Sequence, residues 1–157
     1  ARSGEARGAL WSEFDLAAKV WTVPGARMKR GVEHRVPLSC EALAILERVR
    51  GLDEDFVFAS THRGHGGKVR AQSDMVFKSL LRRMNREGFT VHGFRSSFRD
   101  WCSEGAHVER EVAELALSHA VGNEVERAYA RSDLFERRRS LMERWGTILR
   151  QSSSKDC

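Results

Sequence analysis

Two short segments of this chain, KVWTV (19–23) and EHRVPLS (33–39), have the composition of β-strands, and they restrict the fold to one small sheet. The first is rich in β-branched and aromatic residues, and apolar residues alternate along the second. The stretch PGARMKRG between them favours a turn, because proline and glycine interrupt regular structure. We therefore predict one antiparallel hairpin that carries Lys29 and Arg30 at its tip or flank.

Most of the remaining sequence has the spacing of amphipathic helices. Ser39 is a predicted N-cap for CEALAILERVR, and Ser73 is a predicted N-cap for DMVFKSLLRRMNRE. Further helices are predicted in SGEARGALWSEFDL, TVHGFRSSFRDW, VEREVAELAL and the segment that ends in RRRSLMERWGTIL. The predicted fold class is mostly α with a small antiparallel β-sheet, an α+β domain over residues 1–150, followed by a polar, disordered tail over residues 151–157.

The same apolar spacing predicts which residues form the core. The expected inner face of the helix after Ser73 consists of Met75, Val76, Leu80 and Met84. Residues expected to be buried further along the chain are Phe94, Phe98, Trp101 and Cys102. By contrast, His34 and the arginine run 137–139 are predicted to lie in solvent.

Composition argues against several classes of protein. The net charge of +5 and the isoelectric point near 9.6 favour a polyanionic partner, although charge alone does not identify it. Three cysteines without a CxxC spacing suggest neither a disulfide framework nor a zinc cluster, which fits a reducing cytosol. No apolar run approaches the ~18 residues of a membrane span, and no carboxylate cluster suggests Mg²⁺. We expect a cytoplasmic protein that uses no cofactor or metal.

A set of basic residues can act chemically together with the single tyrosine of the chain. In chain order, the set is Arg2, Lys29, His92, Arg95, His119 and Tyr129. Two arginines can hold the non-bridging oxygens of a phosphodiester through forked N–H donors. Fixed donors aimed at developing charge are usually the largest catalytic effect.

The other members of this set supply the groups that react. A tyrosine hydroxyl is a weak nucleophile near neutral pH because its pKa is about 10, and nearby cations favour its phenolate. A histidine can accept the phenol proton or hold the phosphate, and a lysine can protonate the leaving 5′ oxygen. The set therefore predicts metal-free phosphoryl transfer through a covalent tyrosine.

Longer stretches around these residues resemble the catalytic domain of tyrosine recombinases, in particular prophage and genomic-island integrases. The resemblance is carried by RSGEARGALWSEFDL, RMKRGVEHRVPLS, VHGFRSSFRDW, LSHAVGNEVERAYARSD and RRRSLMERWGTIL. His-x-x-Arg alone is a weak signal, but the blocks follow the family's order and spacing from Arg2 to about Leu149. The resemblance implies the tyrosine recombinase catalytic-domain fold, truncated at its N-terminus, because family members carry further DNA-binding domains before it.

The resemblance also assigns roles around the phosphate. Arg2 and Arg95 correspond to two catalytic arginines of the family, and His92 corresponds to the histidine that accompanies the second. His119 falls where the family has a histidine or tryptophan that orients the phosphate. Glu5 corresponds to an acidic residue that supports the first arginine.

For the reacting groups, the resemblance makes Tyr129 the nucleophile that forms a 3′-phosphotyrosine and Lys29 the general acid. The implied reaction is site-specific recombination, which integrates or excises a prophage or mobile element. The implied partners are double-stranded DNA attachment sites and a homotetramer on that DNA. We expect a monomer when free, no membrane association and a location at the bacterial nucleoid, and we expect this chain alone to bind DNA weakly.

Further basic residues are predicted to contact the DNA backbone. They are Arg30 in the hairpin, Lys68 and Arg70 in the glycine-rich loop THRGHGGKVRAQ, and Arg82 and Arg83 on the helix after Ser73. The loop lacks the serine or threonine that follows lysine in a P-loop, so we interpret it as a mobile loop. For Arg82 and Arg83, a solvated helix face is an equally good interpretation.

Two other functions stay open at this stage. One is a DNA-binding module that has lost catalysis, although the intact residue set argues against it. The other is a relaxing topoisomerase of type IB, which shares the tyrosine chemistry. The apolar stripe after Tyr129 is also ambiguous, because it fits packing on the same domain or on a neighbouring protomer.

Overall fold

The computed structural model describes residues 1–62, 64–122 and 132–153. Within these residues the helices are α1 (Ser3–Arg7), α2 (Cys40–Val49), α3 (Val76–Arg83), α4 (Val91–Glu104), α5 (Arg110–Ala116) and α6 (Phe135–Ser153). The strands are β1 (Phe14–Asp15), β2 (Val20–Val23) and β3 (His34–Pro37), which form an antiparallel sheet in the order β1-β2-β3. The predicted fold class, mostly α with a small antiparallel β-sheet, is confirmed.

The predicted hairpin is formed by β2 and β3, with Trp21 opposite Val36. On the other edge of β2, β1 places Phe14 opposite Trp21, and the two rings stack with centroids 5.3 Å apart. Gly25 begins a single 3-10 turn in the connection between β2 and β3. Only glycine fits at this position, because a Cβ would collide with the carbonyl oxygen of Gly31.

Two clusters of buried residues form the core. One packs the sheet against α2, and its buried members are Ala9, Trp21, Val23, Met28, Leu38, Leu46 and Val57. The other lies among α4, α5 and α6, and its buried members are Phe98, Cys102, Ala106, Val112, Ala113, Leu117 and Leu141. Because α6 contacts α2, α5 and β3, it joins the two clusters. The predicted burial of Phe98 and Cys102 is confirmed.

Side-chain caps set where two helices begin. The Ser39 hydroxyl accepts a hydrogen bond from the Ala42 amide at 3.3 Å, as predicted for an N-cap. The Thr90 hydroxyl accepts a hydrogen bond from the Gly93 amide at 3.0 Å and starts α4. The second cap fixes the first turn of the helix that carries His92 and Arg95.

The predicted burial of Met75, Leu80, Met84 and Phe94 is wrong, whereas Val76, the fourth member of the predicted inner face, is half-buried. Met75, Leu80 and Met84 are 51%, 41% and 58% exposed, and Phe94 of α4 is 54% exposed. The apolar side of α3 borders an open cleft of about 830 Å³ instead of a packed neighbour. Helical spacing identifies an apolar face, but it does not show whether another element covers that face.

Two polar residues that were predicted in solvent are buried. His34 lies in β3, and Arg138 of α6 is 2% exposed. The Arg138 guanidinium donates hydrogen bonds to the carbonyl oxygens of Asp133 and Arg35 at 2.7 and 2.6 Å and to the Asp133 carboxylate at 2.6 Å. A charge can be buried when it is paired and hydrogen-bonded in this way.

The last helix is longer than predicted. It continues to Ser153, so residues 151–153 are helical and do not belong to a tail, while residues 154–157 lie outside the described part of the chain. Within α6, Leu141, Met142 and Trp145 pack on the second core cluster. This part of the apolar stripe therefore packs on the same domain.

Arg138→Ala is expected to lower the free energy of unfolding by about 3 kcal/mol, because it removes a buried guanidinium and the three hydrogen bonds that it donates. Arg137→Ala is the matched control from the same arginine run. Arg137 forms an exposed ion pair with Glu109, and exposed pairs contribute little. Urea denaturation followed by circular dichroism measures both values, and equal losses would contradict the structural role of Arg138.

Candidate active site

Arg2 is held at the start of α1 by Glu5. The buried Glu5 carboxylate accepts hydrogen bonds from the Arg2 backbone amide at 2.5 Å and from the Arg2 guanidinium at 3.0 Å. Burial alone would raise the pKa of Glu5, but the hydrogen bonds from Arg2 outweigh it and the pKa is lowered. Glu5 is therefore an ionised partner that anchors Arg2, in line with the supporting position that the resemblance implied.

Arg27 ties the hairpin connection to the same helix. Its guanidinium donates a hydrogen bond to the Glu5 carbonyl oxygen at 2.5 Å and forms an ion pair with Glu13. Glu13 is buried, and it also accepts a hydrogen bond from the Trp21 indole at 2.9 Å. No sequence pattern pointed to Arg27 or Glu13, because the two residues are 14 positions apart and belong to different local structures.

Lys29 and Arg30 follow this anchored turn and are exposed. Within the described residues, neither side chain has a hydrogen bond or an ion pair. Arg30 lines a cleft of about 210 Å³ together with His34, Ser118, His119 and other residues. The hairpin therefore presents Arg30 in the cleft that contains His119, and Lys29 is exposed one residue before it.

Arg95 joins the first helix to the end of α5. Its guanidinium donates hydrogen bonds to the carbonyl oxygen of Ala1 at 3.1 Å and to that of Leu117 at 2.7 Å. The Nη2 atom of Arg95, which donates to Leu117, also lies 3.2 Å from Nε2 of His119. Burial, together with the nearby Arg2 cation, lowers the pKa of Arg95 from its ordinary value. Arg2, Arg95 and His119 are thus brought together from three separate elements.

The backbone after α5 directs His119 towards Arg95. The helix ends in a Schellman-type turn, in which the His119 amide donates to the Glu114 carbonyl at 2.9 Å and the Ser118 amide donates to the Leu115 carbonyl at 3.0 Å. Ser118 adopts a left-handed conformation with φ of +55°. In addition, Nδ1 of His119 lies 2.6 Å from the Glu114 carboxylate.

Of the remaining predicted site residues, those that the structure describes form no hydrogen bond or ion pair with this group. His92 is exposed and lies one helical turn before Arg95 on the same side of α4. Tyr129 lies outside the described residues. The predicted DNA-contacting residues Lys68, Arg70, Arg82 and Arg83 are exposed.

Backbone hydrogen bonds organise the glycine-rich loop. The Ser60 amide donates to the Arg70 carbonyl, and the Gly64 amide donates to the Lys68 carbonyl, both at 2.8 Å. The Arg70 side chain donates to the His62 carbonyl oxygen at 3.2 Å. Lys68 and Arg70 are therefore presented on a hydrogen-bonded loop.

The described residues include no cluster of three or more histidine, cysteine, aspartate or glutamate side chains that could hold a metal ion. In the same part of the chain, no helix is both long and apolar enough to cross a membrane. The convergent groups of the candidate site are two guanidinium groups and one imidazole, and guanidinium groups can bind an anion through paired N–H donors.

Comparison with known proteins identifies the family of this chain. Residues 1–135 match the Phage integrase family. The chain belongs to this family. It is 37% identical over 98% of its length to prophage integrase IntA of Escherichia coli K12, and 30% identical over 98% of its length to the integrase of Enterobacteria phage P4. This phage-integrase chain spans 37% and 38% of the length of those two relatives. No solved structure gives a significant match.

Because Ser118 has a positive φ, its replacement by glycine is predicted to stabilise the fold. Ser118→Gly is expected to raise the free energy of unfolding by about 1 kcal/mol, because glycine adopts positive φ without a Cβ penalty. Ser96→Gly, at an exposed position inside α4, is the matched control and is expected to lower it by about 1 kcal/mol. Denaturant melts measure both variants, and a loss of stability in Ser118→Gly would contradict the assigned conformation.

The buried His34 predicts a pH-dependent stability. Burial, reinforced by the charges of the amino terminus and Arg138, lowers its pKa from 6.5 to about 4. The unfolded chain therefore binds more protons than the folded chain between these values, and the fold loses stability as the pH falls through this window. The loss attributable to His34 is on the order of 3 kcal/mol.

The free energy of unfolding at pH 7 and pH 4.5 measures this loss, in the unchanged chain and in His34→Phe. The phenylalanine variant lacks a titrating ring, so its stability is expected to fall less over the same interval. If His34→Phe loses as much free energy of unfolding between pH 7 and pH 4.5 as the unchanged chain does, His34 is not responsible for the loss.

Proposed function

We propose that this chain is the catalytic part of an integrase that cuts and rejoins DNA through a covalent 3′-phosphotyrosine at Tyr129. Its biological reaction is the site-specific integration or excision of a prophage or mobile element. The observation that carries the proposal is the convergence of Arg2, Arg95 and His119, in which Arg95 contacts both the carbonyl oxygen of Ala1, next to Arg2, and the imidazole of His119. Membership of the phage integrase family supports it.

The arginines supply electrostatic stabilisation for the reaction. Attack on a phosphodiester adds negative charge to the non-bridging oxygens, and the guanidinium groups of Arg2 and Arg95 are fixed donors for that charge. Their anchoring by neighbouring groups is in place before DNA binds, so little reorganisation is required in the transition state. The site thus favours the transition state over the ground state.

The covalent steps balance without a high-energy cofactor. The Tyr129 oxygen bonds to phosphorus while the bond from phosphorus to the 5′ oxygen breaks. A histidine of the site takes the phenol proton, and Lys29 gives a proton to the 5′ oxygen. The phosphotyrosine link keeps the bond energy, so attack by a 5′ hydroxyl on the same phosphorus rejoins a strand and releases the tyrosine.

The partner is double-stranded DNA, and its backbone is the main source of affinity. The exposed cations Arg30, Lys68, Arg70, Arg82 and Arg83 are the proposed phosphate contacts, in a chain of net charge +5. Neutralising phosphates releases counterions, so binding weakens as salt rises. We further propose a tetramer on two DNA sites, a free monomer and a location at the nucleoid in the cytoplasm.

A nicked DNA substrate that loses its 5′ fragment after cleavage tests the proposed reaction. The longer protein that contains this chain is expected to form a denaturant-resistant adduct with its attachment-site DNA. Tyr129→Phe is expected to abolish the adduct and to leave DNA retention within about twofold, because the substitution removes one hydroxyl and no charge. Gel electrophoresis in detergent measures the adduct, and filter binding measures retention.

Two outcomes would contradict this proposal. Retention of DNA without an adduct in the unchanged protein would indicate a binding module that has lost catalysis. An adduct accompanied by supercoil relaxation without site preference would indicate a topoisomerase of type IB. A substrate with a scrambled attachment site is the control that separates site-specific cleavage from the second outcome.

A further inference from the structure

We propose that Glu114 is a positioning residue for strand cleavage: its carboxylate bridges Arg99 and His119 and directs an unprotonated Nε2 of His119 at the guanidinium of Arg95. This inference rests on the proposed function for its role in the reaction. The bridge itself rests on contacts among the described residues of α4, α5 and the turn after α5.

Glu114 has one oxygen for each partner. Its Oε1 accepts a hydrogen bond from Nε of Arg99 at 2.7 Å, and its Oε2 lies 2.6 Å from Nδ1 of His119. The Glu114 side chain is 17% exposed, so solvent screens these contacts only in part. Each carboxylate oxygen of Glu114 therefore has its own partner, Arg99 for Oε1 and His119 for Oε2.

The surrounding contacts select one tautomer of His119. Arg95 can only donate hydrogen bonds, so its contact at 3.2 Å requires Nε2 of His119 to act as the acceptor. The Glu114 carboxylate can only accept when it is ionised, so it requires a proton on Nδ1. Both contacts are satisfied together by the neutral ring protonated at Nδ1, which leaves the Nε2 lone pair on the Arg95 side.

Arg99 keeps the carboxylate in the ionised form that this tautomer needs. Burial alone would raise the pKa of Glu114, but the hydrogen bonds from Arg99 and His119 outweigh it and the pKa is lowered. Glu114 is therefore charged at neutral pH. The Nε2 lone pair then accepts from Arg95 and helps to fix the guanidinium that the proposed function places at the phosphate.

The variant Glu114→Gln gives a sharp test because an amide has one accepting oxygen and one donating nitrogen. Arg99 cannot accept, so it takes the amide oxygen, and the amide NH₂ group then faces Nδ1 of His119. The ring is expected to move its proton from Nδ1 to Nε2, which ends the hydrogen bond from Arg95 to His119 and loosens the guanidinium. Long-range ¹H–¹⁵N spectra of histidine-labelled protein measure which nitrogen is protonated, and His119→Gln assigns the signal among the six histidines.

A second substitution is expected to restore the original tautomer. In Arg99→Leu/Glu114→Gln the amide oxygen is free to turn towards His119 and to accept from Nδ1 again. Glu111→Gln, at an exposed position on the same helix, is the matched control and is expected to leave the His119 signals unchanged. A purely structural role of Glu114 would predict no such switch and no such restoration.

The rate of adduct formation is the second readout. In the longer protein, Glu114→Gln is expected to slow single-turnover formation of the phosphotyrosine adduct by about 10- to 100-fold, the usual effect of losing an orienting partner. The dissociation constant for DNA is expected to stay within about twofold, since only one orienting contact is altered. An unchanged rate would overturn the positioning role.

The tautomer measurement also separates this inference from the proposed function. A proton on Nε2 of His119 in the unchanged chain would overturn the inference even where DNA is cleaved normally, and this result needs no variant to fold. The expected switch, observed in a protein that forms no adduct, would contradict the proposed function and support the assigned bridge.

Discussion

The guanidinium of Arg95 is the group on which the rest of the candidate site depends. It contacts the carbonyl oxygens of Ala1 and Leu117 and the imidazole of His119, and thereby joins the start of α1 to the turn after α5. Burial lowers its pKa, but an arginine remains charged near neutral pH. The carbonyl dipoles offset part of the cost of burying this charge.

The cations of the site fall into two groups. Arg2 and Arg95 are held by fixed partners, with Glu5 beneath the first and backbone carbonyls around the second. Lys29 and Arg30, by contrast, extend from an anchored turn and have no hydrogen-bond partner within the described residues. Fixed donors suit a charge that develops at a defined position, whereas unpartnered cations suit a DNA backbone that arrives from solvent.

Local sequence signals predicted the parts of the fold whose causes are local. Ser39 caps α2, and the hairpin of β2 and β3 forms where β-branched residues flank proline and glycine. The same reasoning failed where burial depends on distant partners. Leu80 has helical spacing and is exposed, whereas Arg138 lies in a basic run and is buried by acceptors that include the carbonyl of Arg35.

The sequence by itself determined most of the elements, the family and the identity of most candidate groups, because these follow from residue types and spacing along the chain, but the strand Phe14–Asp15 lies where a helix was predicted. His92 and Arg95 share a helix side for that reason, and the resemblance placed Glu5 beside Arg2. Only the tertiary structure decided that Arg95 meets His119 and that Glu114 and Arg27 support the site. Except for Glu114 and His119, which are 5 positions apart, those contacts join segments at least 22 positions apart, and their geometry depends on how α4, α5 and the sheet pack around the two cores.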